Sequence, residues 1–139
     1  MKNVLVTGSK GFIGKHVVEK LKRVGGFEVS EWTRLDASSD FRRRLDAADA
    51  IVHLAGVNRP DDAADFETVN ADLTSAMCAH LEGAGRRPLI VFSSSIQADL
   101  DNPYGRSKRR AEQVIQAFTA STGSVTFELM PTTLMPRAL

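Results

Sequence analysis

The sequence predicts an α/β fold, a doubly wound parallel sheet of about five strands and four helices built as one continuous unit. Three observations predict it. Short β-rich apolar runs alternate with longer amphipathic stretches along the chain. The first apolar run leads straight into a glycine loop that opens a helix-periodic stretch. No internal repeat, low-complexity segment or linker interrupts the alternation. Strand–helix–strand units of these lengths need right-handed crossovers, which bury a parallel sheet under helices on both faces.

The elements follow in order. Asn3-Val4-Leu5-Val6 reads as the first strand and ends in the loop Gly8–Gly14. From Phe12 to Val24, Ile13, Val17, Leu21 and Val24 recur at helical spacing, and Gly25-Gly26 stops the helix. Phe27 to Trp32 reads as a second strand. Asp40 to Ala47 reads as a short polar helix capped by Asp40 or Ser39, with Arg42, Arg43 and Arg44 on a solvated face. Ala50 to Gly56 is a third strand, apolar enough for burial on both faces. After a loop over 57–64, Phe66, Val69, Leu73, Met77 and Leu81 stripe a helix from Asp65 to Leu81, with Gly83 beyond its end. Pro88 introduces a fourth strand, Leu89 to Phe92, and Ser93 to Pro103 is a loop. Tyr104 to Thr122 is a fourth helix with Ala111, Val114, Ile115 and Phe118 facing the core, and Ser124 to Leu129 is a fifth strand.

Composition narrows the function. The chain has 139 residues, one domain's worth, of which 42% are hydrophobic and 25% charged. Its 18 basic and 17 acidic side chains leave a net charge of +1, so nothing favours nucleic acid or anionic lipid as a partner. No apolar run approaches the ~18 residues of a membrane span, and the first residues lack a signal-peptide pattern. A lone cysteine, Cys78, excludes an internal disulfide framework and a multi-cysteine zinc site, and is expected as a small buried residue. His16, His53 and His80 lack ligand spacing and are expected to pack, so no metal site is expected. A cytoplasmic, cofactor- or partner-binding domain is the expectation that remains.

Val6-Thr7-Gly8-Ser9-Lys10-Gly11-Phe12-Ile13-Gly14 joins the first strand to the first helix. Gly8 can take the tight turn, Gly11 lets a pyrophosphate approach the backbone, and Gly14 lets the helix lie close to the strand. The free N–H groups and positive end of the helix then favour an anion. The alternative is a glycine-rich turn with no ligand.

A second constellation follows the fourth strand: Ser93-Ser94-Ser95, then Tyr104-Gly105-Arg106-Ser107-Lys108. Residues four apart share a helix face, so Tyr104 and Lys108 can reach one ligand. A nearby ammonium lowers a phenol's pKa and suits it to acid–base work near neutral pH. A serine at the carboxyl end of the neighbouring strand can donate to a carbonyl oxygen, at the sheet edge where ligands bind in such folds.

These pieces, with Val52-His53-Leu54-Ala55-Gly56 and Asn70, resemble the extended short-chain dehydrogenase/reductases, or NAD-dependent epimerase/dehydratase family. That family has a Rossmann-like sheet and includes nucleotide-sugar epimerases, dehydratases and reductases. Val52 to Pro60, Ser93 to Ala98 and Asp101 to Gly105 are most similar to its reductases of capsular sugar synthesis. The resemblance covers residues 1–128. It implies hydride transfer from a nicotinamide cofactor to the C4 ketone of a UDP-linked N-acetyl 6-deoxy-hexosulose. By matching position, Tyr104 protonates the developing alkoxide, Lys108 holds the nicotinamide ribose and tunes Tyr104, and Ser95 hydrogen-bonds the carbonyl. Gly8, Lys10, Gly11, Phe12 and Ile13 line the pyrophosphate, and Gly14 belongs to the same cofactor-binding loop. Leu54, Ala55, Gly56, Asn70 and Ser93 complete the cofactor site, and Asp36 sits beside the adenine. Ile96 and Gln97 stand where dehydratases need an acid, which disfavours dehydration. A 4-epimerase and a catalytically inactive NAD(P)-binding module are the alternatives. A homodimer through the two long helices is also implied.

Arg34, beyond the second strand, can pair with the extra phosphate of NADP, and Lys10 can add a second charge. Glu31 opposes that phosphate if it points into the site. NADP is therefore expected over NAD. After Glu128 the family pattern stops: Leu129, Thr132 and Met135 replace its arginine, asparagine and glycine. The expected organisation is an NAD(P)-binding domain over 1–130 and a divergent tail over 131–139. The expected cause is truncation or frame interruption before the substrate-binding segments and the metal-binding cupin domain of the capsular reductases.

Overall fold

Val4, Leu5, Val6 and Thr7 are buried in succession, because the first strand has neighbours on both edges and helices over both faces. In the computed structural model, the described residues are 1–33, 35–54, 71–93 and 103–129, with the backbone alone for 103–105 and 129. The elements run β1 (Lys2–Thr7), α1 (Phe12–Val24), β2 (Phe27–Trp32), α2 (Ser38–Ala47), β3 (Ala50–His53), α3 (Leu73–Gly83), β4 (Leu89–Ser93), α4 (Pro103–Thr122) and β5 (Thr126–Leu129). The strands form a five-stranded sheet in the order β2-β1-β3-β4-β5, every pair parallel. The sheet is therefore the doubly wound α/β class that the alternation predicts.

Alternating strand residues divide the core. Val4 and Val6 face α1, packing with Val18, Val17 and Leu21. Leu5, Ile51, Ile90 and Phe92 face the other way, against Phe41 and Leu45 of α2, Met77 and Leu81 of α3, and Ile115 and Phe118 of α4. Cys78 is buried in this second layer. Trp32 stacks on Phe41 at 4.1 Å and donates its indole N–H to the Ala37 carbonyl, fixing α2 to the end of β2.

Several boundaries differ from expectation. α2 begins at Ser38, its N-cap is Ala37, and no side chain caps it. Asp40 instead accepts hydrogen bonds from Arg43 and Arg44. These guanidinium partners hold its carboxyl below the usual carboxylate range. Arg44 is half-buried and also donates to Ser30, so the arginine run is not a wholly solvated face. β3 ends at His53, and the Leu54 N–H closes the ladder with β1 by donating to the Thr7 carbonyl and hydroxyl oxygens. α3 runs on to Gly83, while Phe66 and Val69 lie outside the described residues. His80 pairs with Asp46 of α2 at 2.7 Å rather than merely packing.

Among the described residues, no helix is long and apolar enough to cross a membrane. Nor does any group of three or more His, Cys, Asp or Glu among them gather as a metal site.

Candidate functional site

In this strand order β1 lies between β2 and β3, and successive crossovers leave it in opposite directions. A crevice at the carboxyl edge beside such a strand is where doubly wound sheets bind ligands. The register puts Thr7 beside both Trp32 and His53, and His53 beside Phe92. Gly8, Leu54 and Ser93 therefore leave the sheet along one edge.

Gly8 has φ +67°, a left-handed conformation that glycine adopts without penalty. Its N–H donates to the Trp32 carbonyl at 3.0 Å, and its carbonyl accepts from the Gly11 N–H at 3.1 Å. A methyl at position 14 would collide with the Gly8 carbonyl oxygen and approach Ser9 Cα to 2.8 Å, so α1 rests directly on the turn. Gly11 differs. A methyl there would meet only the Gly8 oxygen, at 3.4 Å, and the backbone at φ −73° suits any residue. Internal packing does not require a glycine at 11, whereas a ligand lying on the backbone does.

The amino end of α1 suits an anion. No side chain caps it, and its first turn contains no acid. Its first amides and positive dipole end are thus left for a ligand of opposite charge. Lys10, Gly11, Phe12 and Ile13 are exposed around it, and Phe12 rests edge-on against His16 with ring centroids 4.8 Å apart. Ser9 Oγ is buried and, among the described residues, has no hydrogen-bond partner. These features fit a dinucleotide pyrophosphate.

Lys108 reaches from α4 to the end of β4, where its Nζ lies 3.4 Å from the Ser93 carbonyl oxygen. Burial lowers its pKa, and the charge of Glu112 works against that fall. The two side chains line a small cavity with His53, Thr74, Phe92, Ser93, Ala111 and Ile115. Tyr104 lies in the first turn of α4, one turn before Lys108. Its side chain lies outside the described residues, as do Ser95, Arg34, Ala55, Gly56 and Asn70.

His53 does more than pack. Its Nδ1 lies 2.8 Å from Thr7 Oγ1, and its Nε2 lies 2.9 Å from Thr74 Oγ1. The ring thus ties the strand that carries the glycine turn to α3. Burial, with the charge of Lys108, pushes its pKa down to about 3, so the imidazole is neutral near pH 7. Sequence reasoning gave no role to Ser9, Thr74 or Glu112. Glu112 repeats the four-residue spacing from Tyr104 to Lys108, which was the available signal.

At the carboxyl end of β2, Glu31 pairs with Lys22 of α1 at 3.8 Å. The Asp36 carboxylate accepts from the Thr33 N–H at 2.8 Å, closing the loop beyond β2. Leu54, also expected in the site, is half-buried and joins the apolar layer under α1.

Comparison with known proteins extends this picture. Over 120 residues the chain is 41% identical to UDP-2-acetamido-2,6-beta-L-arabino-hexul-4-ose reductase of Pseudomonas aeruginosa, covering 86% of this chain and 32% of that protein. The capsular polysaccharide assembling protein CapF of Staphylococcus aureus matches in structure with a TM-score of 0.77 and 36% identity, over 91% of this chain and 34% of that one. RMD from Pseudomonas aeruginosa, solved with NADPH, shares the fold with a TM-score of 0.72 at 22% identity, over 91% of this chain and 53% of its own. The chain thus spans about a third of the length of the first two relatives. The NAD dependent epimerase/dehydratase family matches residues 4–136. A match that begins within β1 and continues past β5 reaches all five strands, the glycine turn and the Tyr104–Lys108 helix: the chain belongs to the NAD dependent epimerase/dehydratase family.

Proposed function

We propose that this chain is the cofactor-binding and catalytic unit of a cytoplasmic NADP(H)-dependent reductase of nucleotide-sugar metabolism. Its substrate is a UDP-linked N-acetyl 6-deoxy-hexosulose, reduced at the C4 ketone for capsule or O-antigen synthesis. One observation carries the reading. A half-buried lysine, one helical turn after Tyr104, reaches the sheet edge that carries the glycine turn and the uncapped amino end of α1. The 41% identity to a UDP-keto-sugar reductase supports this substrate class.

Gly8, Lys10, Gly11, Phe12 and Ile13 hold the pyrophosphate, with Gly14 seating the cofactor-binding loop against α1 and Leu54, Ala55, Gly56, Asn70 and Ser93 along the rest of the dinucleotide. The bound nicotinamide supplies the hydride. Ser95 donates a hydrogen bond to the substrate carbonyl oxygen, fixing it for attack and favouring the negative charge that develops there. The Tyr104 hydroxyl delivers its proton to that oxygen. The Lys108 ammonium favours the phenolate this leaves and also holds the ribose hydroxyls. Arg34 and Lys10 favour the extra phosphate of NADP. Glu31 is held by Lys22, which weakens its opposition to that phosphate. Asp36 fixes the loop next to Arg34 and lies beside the adenine. Residues 1–130 form the unit, 131–139 are a divergent tail, and two copies pair through α3 and α4.

The test is a titration with NADPH and with NADH, followed by a UDP-4-keto-sugar reduction assay. A ligand at a hundredfold excess over its Kd stabilises by about 2.7 kcal/mol, so binding will raise the Tm. A Tm that neither dinucleotide moves at millimolar concentration overturns the cofactor reading. NADPH binding without reduction of any UDP-4-keto sugar favours the alternative of a catalytically inactive binding module.

A further inference from the structure

The proposed function needs Lys108 to remain an ammonium although it is half-buried, and the cavity beside it contains an acid able to keep it so. We propose that Glu112 is a positioning residue: its carboxylate, one turn beyond Lys108 and facing the same cavity, keeps the Lys108 ammonium charged and directed to the Ser93 carbonyl. This inference rests on the reading of Lys108 as the group that holds the cofactor ribose.

The walls of the cavity support it. β3 contributes His53, α3 contributes Thr74, and β4 contributes Phe92 and Ser93. α4 contributes Lys108, Ala111, Glu112 and Ile115. His53 is held neutral between two threonine hydroxyls and cannot balance a cation. Thr74 and the Ser93 carbonyl offer dipoles only. Among the described residues lining the cavity, Glu112 alone carries formal negative charge. Arg106, Arg109 and Arg110 on the same helix are exposed.

The pair is also not arranged as a helix-stabilising surface pair. Lysine precedes glutamate by four residues, the less favourable order for an i,i+4 ion pair. Glu112 Oε1 is moreover buried, whereas a solvated pair would keep it in water. Removing a carboxylate from such a site leaves a partly desolvated cation uncompensated, and the lysine answers by losing its proton at lower pH.

The test measures NADPH and NADH affinity by fluorescence titration of the whole chain, from about pH 6 to about pH 10. The proteins are the wild type, Glu112→Gln and Glu112→Asp. The wild type is expected to lose affinity only at the alkaline end. Glu112→Gln is expected to bind like the wild type at the acidic end, with its alkaline midpoint lowered by about one unit or more. Glu112→Asp, which keeps the charge, is expected to recover part of that shift. A Glu112→Gln midpoint equal to the wild type's overturns the proposal, whether or not affinity falls uniformly. If Glu112→Gln fails to fold, Glu112→Ala, which also removes the charge, decides by the same criterion, a lowered midpoint supporting the proposal and an unmoved one overturning it. A wild type that binds neither dinucleotide overturns the underlying reading and this inference with it. A wild type that binds, beside variants with unshifted midpoints, overturns this inference alone.

Discussion

Gly14 and Gly8 are in direct contact: a methyl on Gly14 would overlap the Gly8 carbonyl oxygen. The amino end of α1 thus sits on the turn that ends β1, with no room for a side chain. Gly14→Ala must push helix and turn apart. We expect it to destabilise the fold by about 1–3 kcal/mol, the usual cost of overpacking, as a lower denaturation midpoint. Gly11→Ala is the contrasting variant. Its methyl meets an ordinary contact at 3.4 Å. Stability should change by less than about 1 kcal/mol, small gains in the unfolded state offsetting a poorer N-cap. Dinucleotide affinity should nevertheless fall by at least about tenfold, the equivalent of 1.4 kcal/mol. Equal affinity in Gly11→Ala and the wild type would show that no ligand lies on that backbone.

His53 makes stability depend on pH. Its pKa is about 3 in the folded chain against 6.5 for the free side chain. The unfolded state therefore binds the extra proton first as pH falls. The stabilisation from neutral His53 is complete above pH 6.5 and is lost progressively down to about pH 3. The limiting slope is about 1.4 kcal/mol per pH unit. His53→Gln should lower stability at pH 7 and flatten that slope between about pH 6 and pH 4. A wild-type slope retained in the variant would assign the acid sensitivity to other groups.

Tyr104→Phe removes one oxygen and no bulk. On the proposed mechanism, reduction should fall by at least about a hundredfold, the scale of a general acid's contribution, while NADPH affinity stays within about threefold. Steady-state assays and binding titrations with the same preparation separate the two. Turnover near the wild-type rate would remove Tyr104 from the acid's role.

Cys78 should be chemically silent. Burial, aided by the negative charge of Glu82, pushes its thiol up to about 12. Almost no thiolate exists near neutral pH, and the thiolate is the reactive form. A thiol reagent at pH 8 is expected to label the folded chain orders of magnitude more slowly than the chain in denaturant. Equal rates would mean that the layer between the sheet and α3 opens readily.

The elements were legible because their signals are local. Runs such as Ala50-Ile51-Val52 and the Met77–Leu81 spacing declare strand and helix without reference to distant residues. The glycine turn was legible for the same reason, since Gly8, Gly11 and Gly14 follow one another closely. His53 was not. Its partners Thr7 and Thr74 lie 46 and 21 residues away, and only the parallel register brings Thr7 beside it. The cap of α2 was misread because Asp40 has two arginines within reach one turn on, and their charge draws its carboxylate from the helix start. Glu112 was overlooked because a carboxylate one turn from a lysine looks like any surface pair until its burial is seen.

All five strands point the same way, which gives the molecule two unlike poles. Met1, 87% exposed, lies at the pole away from the glycine turn. β5 runs parallel to β4 and ends with Leu129 alongside Ser93. An affinity tag or immobilising tether attached at Met1 therefore leaves the glycine turn facing solution. The carboxyl end of β5 lies instead at the pole that carries the glycine turn, so a tether attached at Leu129 starts on the side of the crevice.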